Sequence, residues 1–175
     1  MLTRYLYAFG PASVGDMAAW SGLAGLKETA ERLQPELRMF RDERGRELLD
    51  VKDGLLPRAT VAAPVRFLPE YDNVLVAYAD RSRIIPDEHR QRVVRSLGTP
   101  TVLVDGFVRA FWHVEQKNST ATLDVELFDS VAAAAKSAIE REGERLLMFV
   151  APDAANRRVR CRRTTPRPVR AAASG

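Results

Sequence analysis

This sequence of 175 residues contains one cysteine, two histidines and no long apolar run, and each scarcity excludes a class of protein. Cys161 has no second cysteine for an internal disulfide, which fits a reducing compartment. His89 and His113 lie far apart without partners at metal-ligand spacing, so we predict no zinc site. No apolar run approaches the roughly 18 residues of a membrane span, and neither a signal peptide nor a glycine-rich phosphate loop is present. We therefore expect a cytoplasmic protein without a membrane segment or a cofactor.

Basic residues are unevenly distributed along the chain. The formal net charge is +4, but seven of the 27 lysine and arginine residues lie after Asp153, where no acidic residue occurs. The rest of the chain consequently has fewer basic residues than its 23 acidic ones. A segment rich in Arg, Pro, Thr and Ala is typical of a disordered tail, which we assign to residues 153–175. Net charge alone is therefore a weak argument for nucleic-acid binding.

The pattern of residues 1–56 predicts a winged helix. Ser13 and Asp16 form a capping pair at the start of one amphipathic helix, and a glycine turn at Gly22 separates it from the next. Gly45 favours the left-handed backbone of a hairpin loop. This order presents one helix for a DNA groove and one loop for the neighbouring backbone. The predicted segments are a helix ending at residue 9, helices at 13–20 and 26–33, and strands at 37–41 and 47–51.

Residues 57–152 predict a second domain of mixed structure. A period of two, interrupted by the Asp105-Gly106 turn, indicates a small antiparallel meander of three strands. Helical spacing over about residues 130–150 predicts a long covering helix, with Phe149 on its apolar side and Gly143 as its weak point. The run 74–78 fits a short helix or a strand equally well. The whole chain is predicted to be an α+β protein.

Several sequence motifs, taken in their order along the chain, resemble those of one family. They are Tyr5-Leu6, Phe9-Gly10-Pro11-Ala12-Ser13, Asp16-Met17-Ala18-Ala19-Trp20-Ser21-Gly22-Leu23, Leu68-Pro69-Glu70-Tyr71-Asp72, Ala79-Asp80-Arg81, and Val102-Leu103-Val104-Asp105-Gly106 with Trp112. This series resembles the bacterial winged-helix proteins that include DNA glycosylases acting on alkylated bases and interstrand crosslinks. The resemblance covers about residues 2–150 and matches that family's later winged helix and C-terminal half. It implies association with duplex DNA and a share of a DNA-facing channel.

One part of the family's pattern is missing from this chain. Family members are about twice as long, and the glycosylases carry a catalytic Gln-x-Gln, or a His variant of it, in an N-terminal winged helix. The glutamines here are Gln34, Gln91 and Gln116, and no two of them are separated by a single residue. No position of this sequence therefore matches the family's catalytic pair. We expect a shortened relative in which this catalytic motif is absent, and the sequence leaves open whether it acts as an enzyme.

The second helix and the hairpin supply the candidate DNA contacts. These are side chains able to reach phosphates or base edges, namely Lys27, Thr29, Arg32, Arg38, Arg41, Arg44 and Arg46. Glu28 and Glu31 lie on the same helix and offset its positive charge, so a solvated or partner-binding face is the alternative. The winged-helix order favours phosphate contact at the loop tip, by Arg44 or Arg46.

A second group of polar residues surrounds the apolar run 74–78. The residues that could line a channel and assist acid-base chemistry are Glu70, Tyr71, Asp72, Arg81 and Arg83. The alternative is structural: Asp72 caps the next element, and Asp80 pairs with Arg81 or Arg83.

The basic tail offers a third set of contacts. The arginines that could track a nucleic-acid backbone without sequence preference are Arg157, Arg158, Arg160, Arg162 and Arg163. A flexible extension without a fixed partner is the alternative. Cys161, between two of these arginines, would have an acidified, reactive thiol if exposed, and the alternative is an inert tail cysteine.

Three functions are consistent with these patterns. The favoured one is DNA binding with little sequence preference, by the second helix and the hairpin with support from the tail. The second is a part in a split DNA-repair glycosylase whose separate N-terminal partner supplies the missing winged helices. The third is a protein-interaction module. Apolar surface left by a missing half also predicts self-association.

Overall fold

A computed structural model describes residues 1–164, which form an α+β protein with six α-helices and two sheets in this range. The helices are α1 (Leu2–Phe9), α2 (Val14–Ser21), α3 (Leu26–Leu33), α4 (Asn73–Val76), α5 (Asp87–Val94) and α6 (Ala133–Val150). The strands are β1 (Leu37–Arg41), β2 (Glu47–Val51), β3 (Arg66–Leu68), β4 (Thr101–Val104), β5 (Phe107–Lys117), β6 (Thr120–Leu127) and β7 (Asn156–Arg163). No helix within residues 1–164 has the length and apolar character needed to cross a membrane.

The chain forms two compact units, and each unit is built from two separate stretches of sequence. The first unit contains Met1–Ala62 and Glu70–Gly98, and the second contains Ala63–Pro69 and the described residues 99–164. This division differs from the predicted boundaries at 1–56, 57–152 and 153–175, because the chain returns to the first unit after Pro69.

Local sequence signals account for the first helices of the first unit. Asp16 N donates to Ser13 Oγ at 3.1 Å, and Ser13 N donates to the Asp16 carboxylate at 2.9 Å, so this pair caps α2 reciprocally. Gly22, with a φ of 69°, ends α2 in the left-handed conformation. The helices pack one apolar side inward, where Leu6 and Met17 are each 1% exposed.

The predicted hairpin forms directly after these helices. Strands β1 and β2 pair antiparallel, with Leu37 opposite Val51. The loop between them places Gly45 at a φ of 76°, as expected for a left-handed loop position. A further antiparallel bridge joins Ala12, between α1 and α2, to Leu49 in β2. The helices and the hairpin are therefore tied by backbone hydrogen bonds.

Residues 70–98 complete the first unit through contacts that are distant in sequence. Tyr5 Oη donates to the carbonyl of Ala77 at 2.5 Å, and Ala79 N donates to Asp16 Oδ1 at 2.9 Å. The carboxylate that caps α2 thus also holds the returning segment. The sequence of the run 74–78 fits a helix and a strand equally well, and in the structure this run contributes most of the short helix α4.

The second unit is a five-stranded sheet in the order β3-β4-β5-β6-β7. Strands β4, β5 and β6 form the predicted antiparallel meander, and β3 pairs antiparallel with β4 at one edge. Helix α6 follows β6 and packs against the sheet, and β7 then pairs parallel with β6. This parallel edge strand was not expected.

The buried side of α6 differs from its predicted apolar side. Ile139, Gly143 and Leu147 follow one another at four-residue spacing and are buried, whereas Phe149 is 84% exposed. A Cβ at Gly143 would lie 2.8 Å from Leu123 Cδ2. Gly143 therefore permits the close approach of α6 to the sheet, and it is not simply a weak point of the helix.

The structure corrects the expectation of a disordered tail over residues 156–163. All eight residues of β7 register with β6, from Asn156 beside Thr120 to Arg163 beside Leu127. Val159 and Cys161 pack against the core beneath α6, and this burial stabilises the ordered strand. The tail arginines Arg167 and Arg170 lie outside the described residues.

Candidate nucleic-acid interface

Helix α3 presents a surface of mixed charge. Leu26 and Ala30 are buried, which leaves Lys27 and Arg32 exposed and Thr29 partly exposed. Arg32 Nη2 lies 3.4 Å from Thr29 Oγ1, so these two predicted contact residues are neighbours. The acidic side chains on this helix, Glu28 and Glu31, are also exposed. The positive charge of α3 is therefore offset locally, as its sequence indicates.

An aspartate organises the loop of the hairpin. The backbone N–H groups of Arg44 and Arg46 donate to Asp42 Oδ1 at 2.9 and 2.8 Å, and Arg46 Nε lies 2.6 Å from Asp42 Oδ2. The other two candidate arginines, Arg38 and Arg41, are exposed on β1. The loop backbone is thus held in one conformation with its arginines at the surface.

Both loop arginines form an ion pair with Asp80 of the returning segment. Asp80 Oδ2 lies 3.2 Å from Arg44 Nη1 and 2.9 Å from Arg46 Nη1. The expected pairing of Asp80 with Arg81 or Arg83 is therefore wrong. Hydrogen bonds from Ser82 and the charges of the two loop arginines lower the pKa of Asp80 from its usual 3.8 to about 2. The side chain of Arg44 is still 65% exposed, so it remains accessible to a ligand.

Replacing Asp80 with asparagine is expected to lower the unfolding free energy by about 1–2 kcal/mol at pH 7. Asparagine can still accept the Ser82 hydrogen bond, but it loses the ion pairs. Because the carboxyl pKa is lower in the folded state, its stabilising effect is present above about pH 4 and is lost as the pH falls toward 2. Urea unfolding of both proteins between pH 7 and pH 3 measures the difference, which should shrink on acidification. A difference that stays constant over this range would contradict the assignment.

Asp72 and Arg81, two of the candidate channel residues, have structural partners. Asp72 is the N-cap of α4, because Val74 N donates to its Oδ1 at 2.8 Å, and this confirms the structural alternative. Arg81 Nε donates to the carbonyl of Leu75 at 2.7 Å and so fixes the turn after α4.

Arg83 also holds the first unit together. Its Nη1 donates to the carbonyl of Pro11 at 3.1 Å, and its guanidinium lies 4.6 Å from the centre of the Tyr78 ring. Burial raises the pKa of Tyr78, and the charge of Arg83 opposes this shift. Glu70 and Tyr71 are exposed. Three of the five predicted channel residues therefore have capping or packing contacts, and a part in a channel stays a prediction.

The five candidate tail arginines occupy different environments on β7. Arg157 donates to the carbonyl of Ala151 through Nε and Nη2, at 3.1 and 3.0 Å, and so caps the end of α6. Arg162 pairs with Asp124, which is only 5% exposed. Arg158, Arg160 and Arg163 are exposed. All five are exposed, but the side chains of Arg157 and Arg162 also have structural partners.

Cys161 lies on the side of β7 that packs beneath α6. Burial raises the pKa of its thiol, and the neighbouring Glu140 raises it further. The reactive, acidified thiol considered for an exposed tail is therefore wrong, and the inert alternative agrees with the structure.

A strand signal in residues 156–163 was missed in the sequence. Val159 and Cys161 are apolar at two-residue spacing, and arginines occupy the positions between and around them. This is the period of a strand with one buried side, whereas the high arginine content of the same segment is typical of a disordered tail.

His113 and His89 have different surroundings from those of metal ligands. His113 Nε2 lies 3.8 Å from Asp124 Oδ2, and His89 is buried in α5. Within residues 1–164, no group of three or more His, Cys, Asp and Glu side chains could hold a metal ion.

Comparison with known proteins finds a similar solved structure and a matching family model. No curated protein sequence matches the chain. The solved structure of Streptomyces sahachiroi DNA glycosylase AlkZ shares the fold, with a TM-score of 0.67 at 22% sequence identity. The match covers 93% of this chain and 44% of that one, so this chain spans less than half the length of its structural relative. A family model described as DNA glycosylase AlkZ-like matches residues 1–149, and the chain therefore belongs to the DNA glycosylase AlkZ-like family.

Proposed function

We propose that this chain is a DNA-binding protein that uses a winged helix in its first unit. The supporting observation is the order α1, α2, α3, β1, β2, with the residue between the first two helices bridged to the second hairpin strand. This is the arrangement of a winged helix, in which the last helix enters a groove and the hairpin loop lies along the backbone. Membership of the DNA glycosylase AlkZ-like family agrees with a DNA ligand.

The proposed contacts are the exposed cations of α3 and the hairpin loop. Lys27 and Arg32 lie on the exposed side of α3, and Arg44 lies at the tip of the loop. Arg44 is presented by a loop that Asp42 and Asp80 hold in place, so little ordering is needed when it binds a phosphate. The acids on α3 weaken its field, and we therefore expect low affinity with little sequence preference.

The Lys27→Gln/Arg44→Gln protein tests this proposal. We expect it to bind a short labelled duplex more weakly, with a salt dependence of log K that is less steep by about 2, or about 1 for each lost phosphate contact. Fluorescence anisotropy at several salt concentrations measures both quantities. The matched control is Arg4→Gln/Arg90→Gln, which removes the same charge from exposed positions of α1 and α5. Equal losses in the two proteins, or no loss in the first, would reject the winged-helix contact.

A part in base excision is the second candidate function, and family membership favours it. The chain corresponds to 44% of the solved glycosylase, and its three glutamines do not form the Gln-x-Gln pattern. We therefore propose that excision needs a winged helix outside residues 1–175 to supply that pair. Release of alkylated bases from DNA by this chain alone would contradict this second proposal.

Self-association is a separate prediction, which sedimentation of the chain alone tests. A monomer at high concentration would contradict it.

A further inference from the structure

We infer that the exposed arginines of β7 form a second nucleic-acid-binding surface, on which Arg158 and Arg160 bind phosphodiester groups. This surface lies wholly in the second unit, so the inference does not rest on the winged-helix contact. The ligand group is the charged phosphodiester of a DNA strand, whether single or paired.

The strand register determines which side chains share this side of the sheet. Thr122 is paired with Arg158, and Asp124 with Arg160, in the parallel ladder of β6 and β7. Val159, between the two arginines, faces the opposite side and packs beneath α6. Arg158 and Arg160 therefore project from the same side of the sheet, away from the helix.

Two of the three acids on this side of β5 and β6 are already engaged by other side chains. Asp124 is buried and pairs with Arg162, and His113 lies 3.8 Å from its other carboxylate oxygen. Glu126 accepts a hydrogen bond from Thr164 Oγ1 at 2.7 Å. The remaining acid, Glu115, is exposed and registers with Thr122 in the ladder of β5 and β6. The face is thus mixed in charge, but its two buried or bonded acids do not occupy Arg158 or Arg160.

Arg158 and Arg160 are exposed, and the side chain of neither forms a hydrogen bond or ion pair with another residue in the range 1–164. Alternate residues of a strand are about 6.6 Å apart, so the two guanidinium groups can bind different phosphates. Because a sheet holds their backbone, less ordering is lost on binding than for a free tail. Arg162 acts as a positioning residue: its pairing with buried Asp124 anchors the end of the strand.

The Arg158→Gln/Arg160→Gln protein tests this surface directly. Fluorescence anisotropy of a labelled duplex and of the matching single strand, each at several salt concentrations, measures the affinity. We expect at least about a tenfold loss for one or both DNA forms, because two charge-assisted contacts are removed. The slope of log K against log salt should become less steep by about 1.8 for a duplex and about 1.4 for a single strand. Retention of the wild-type slope by Arg158→Lys/Arg160→Lys would support an ionic contact.

The matched control is Arg141→Gln/Arg145→Gln, which removes two exposed charges from α6 in the same unit. Equal weakening by both double variants would overturn the assignment, as would unchanged DNA binding by Arg158→Gln/Arg160→Gln. Loss of binding to anionic lipid vesicles with DNA binding intact would overturn it in favour of a membrane ligand. Thermal unfolding confirms that each variant is folded. Separate measurement of Lys27→Gln/Arg44→Gln distinguishes failure of this surface from failure of the winged-helix contact.

Discussion

Replacing Gly10 with alanine is expected to lower the unfolding free energy of the first unit by about 3 kcal/mol or more. A Cβ at this position would lie 2.5 Å from the carbonyl oxygen of Leu6 and still closer to Asp50 Oδ1. The Leu6 carbonyl belongs to α1 and cannot move freely. Asp50 is 2% exposed, and its Oδ1 accepts a hydrogen bond from Val51 N, so displacing it would disrupt a buried polar contact. The methyl group therefore has no inexpensive way to fit.

Urea unfolding followed by Trp20 fluorescence measures this effect, in a Trp112→Phe background so that only the first unit contributes. The control is Gly15→Ala in α2, where the added Cβ would lie 3.6 Å from Ser13 Oγ, at ordinary contact distance. Alanine is favoured over glycine in a helix, so this control should gain about 0.5–1 kcal/mol. Similar stabilities for the Gly10 and Gly15 variants would show that Gly10 is not sterically constrained.

The Gly143→Val substitution is expected to destabilise the second unit by about 3 kcal/mol. A Cβ alone would lie 2.8 Å from Leu123 Cδ2 and 3.1 Å from Val159 Cγ2, and valine adds two further methyl groups. Leu123 is fully buried in β6, so its side chain has little room to rotate away. Helix α6 must then lift from β6 and β7, and apolar contact is lost along the whole helix.

Ala134→Val is the matched control for this substitution. Ala134 is exposed on the same helix, so valine there should cost only about 0.6 kcal/mol through its lower helix propensity. Unfolding followed by Trp112 fluorescence in a Trp20→Phe background compares the two proteins. If helix propensity alone mattered at position 143, replacing glycine would stabilise the protein, and that result would contradict the packing explanation.

The parts of the fold that could be predicted from the sequence are those with local signals. The capping pair Ser13 and Asp16, the turn at Gly22 and the loop at Gly45 each act within a few residues, and the corresponding elements form where expected. The Asp105-Gly106 turn likewise marked the meander. The α+β class follows from these segments.

The parts that could not be predicted depend on contacts between distant residues. Tyr5 and Ala77 are 72 positions apart, and nothing in either local sequence indicates that they meet. The pairing of Arg44 with Asp80 spans 36 positions and competes with closer arginines. Local pairing rules therefore assigned Asp80 to the wrong partner.

The candidate site was predictable in its residue types but not in its geometry. The arginines of the hairpin and of residues 157–163 were named from the sequence, but only the strand register shows that they are unequal. The charge content of residues 157–163 favours a disordered tail. The burial of Val159 and Cys161 could not be predicted locally, because it depends on packing against α6, which precedes them in the sequence.

Each of the two units is built from two separate stretches of sequence, and this limits how the protein can be divided. The chain crosses from one unit to the other three times, after Ala62, Pro69 and Gly98. A single protease cut at any one crossing leaves the units joined by the other two, so the nicked protein would stay connected. A truncated gene ending at any crossing would lack either residues 70–98 of the first unit or most of the second unit's sheet. Neither unit can be inherited or transplanted as one continuous stretch of chain, so recombination would move them together.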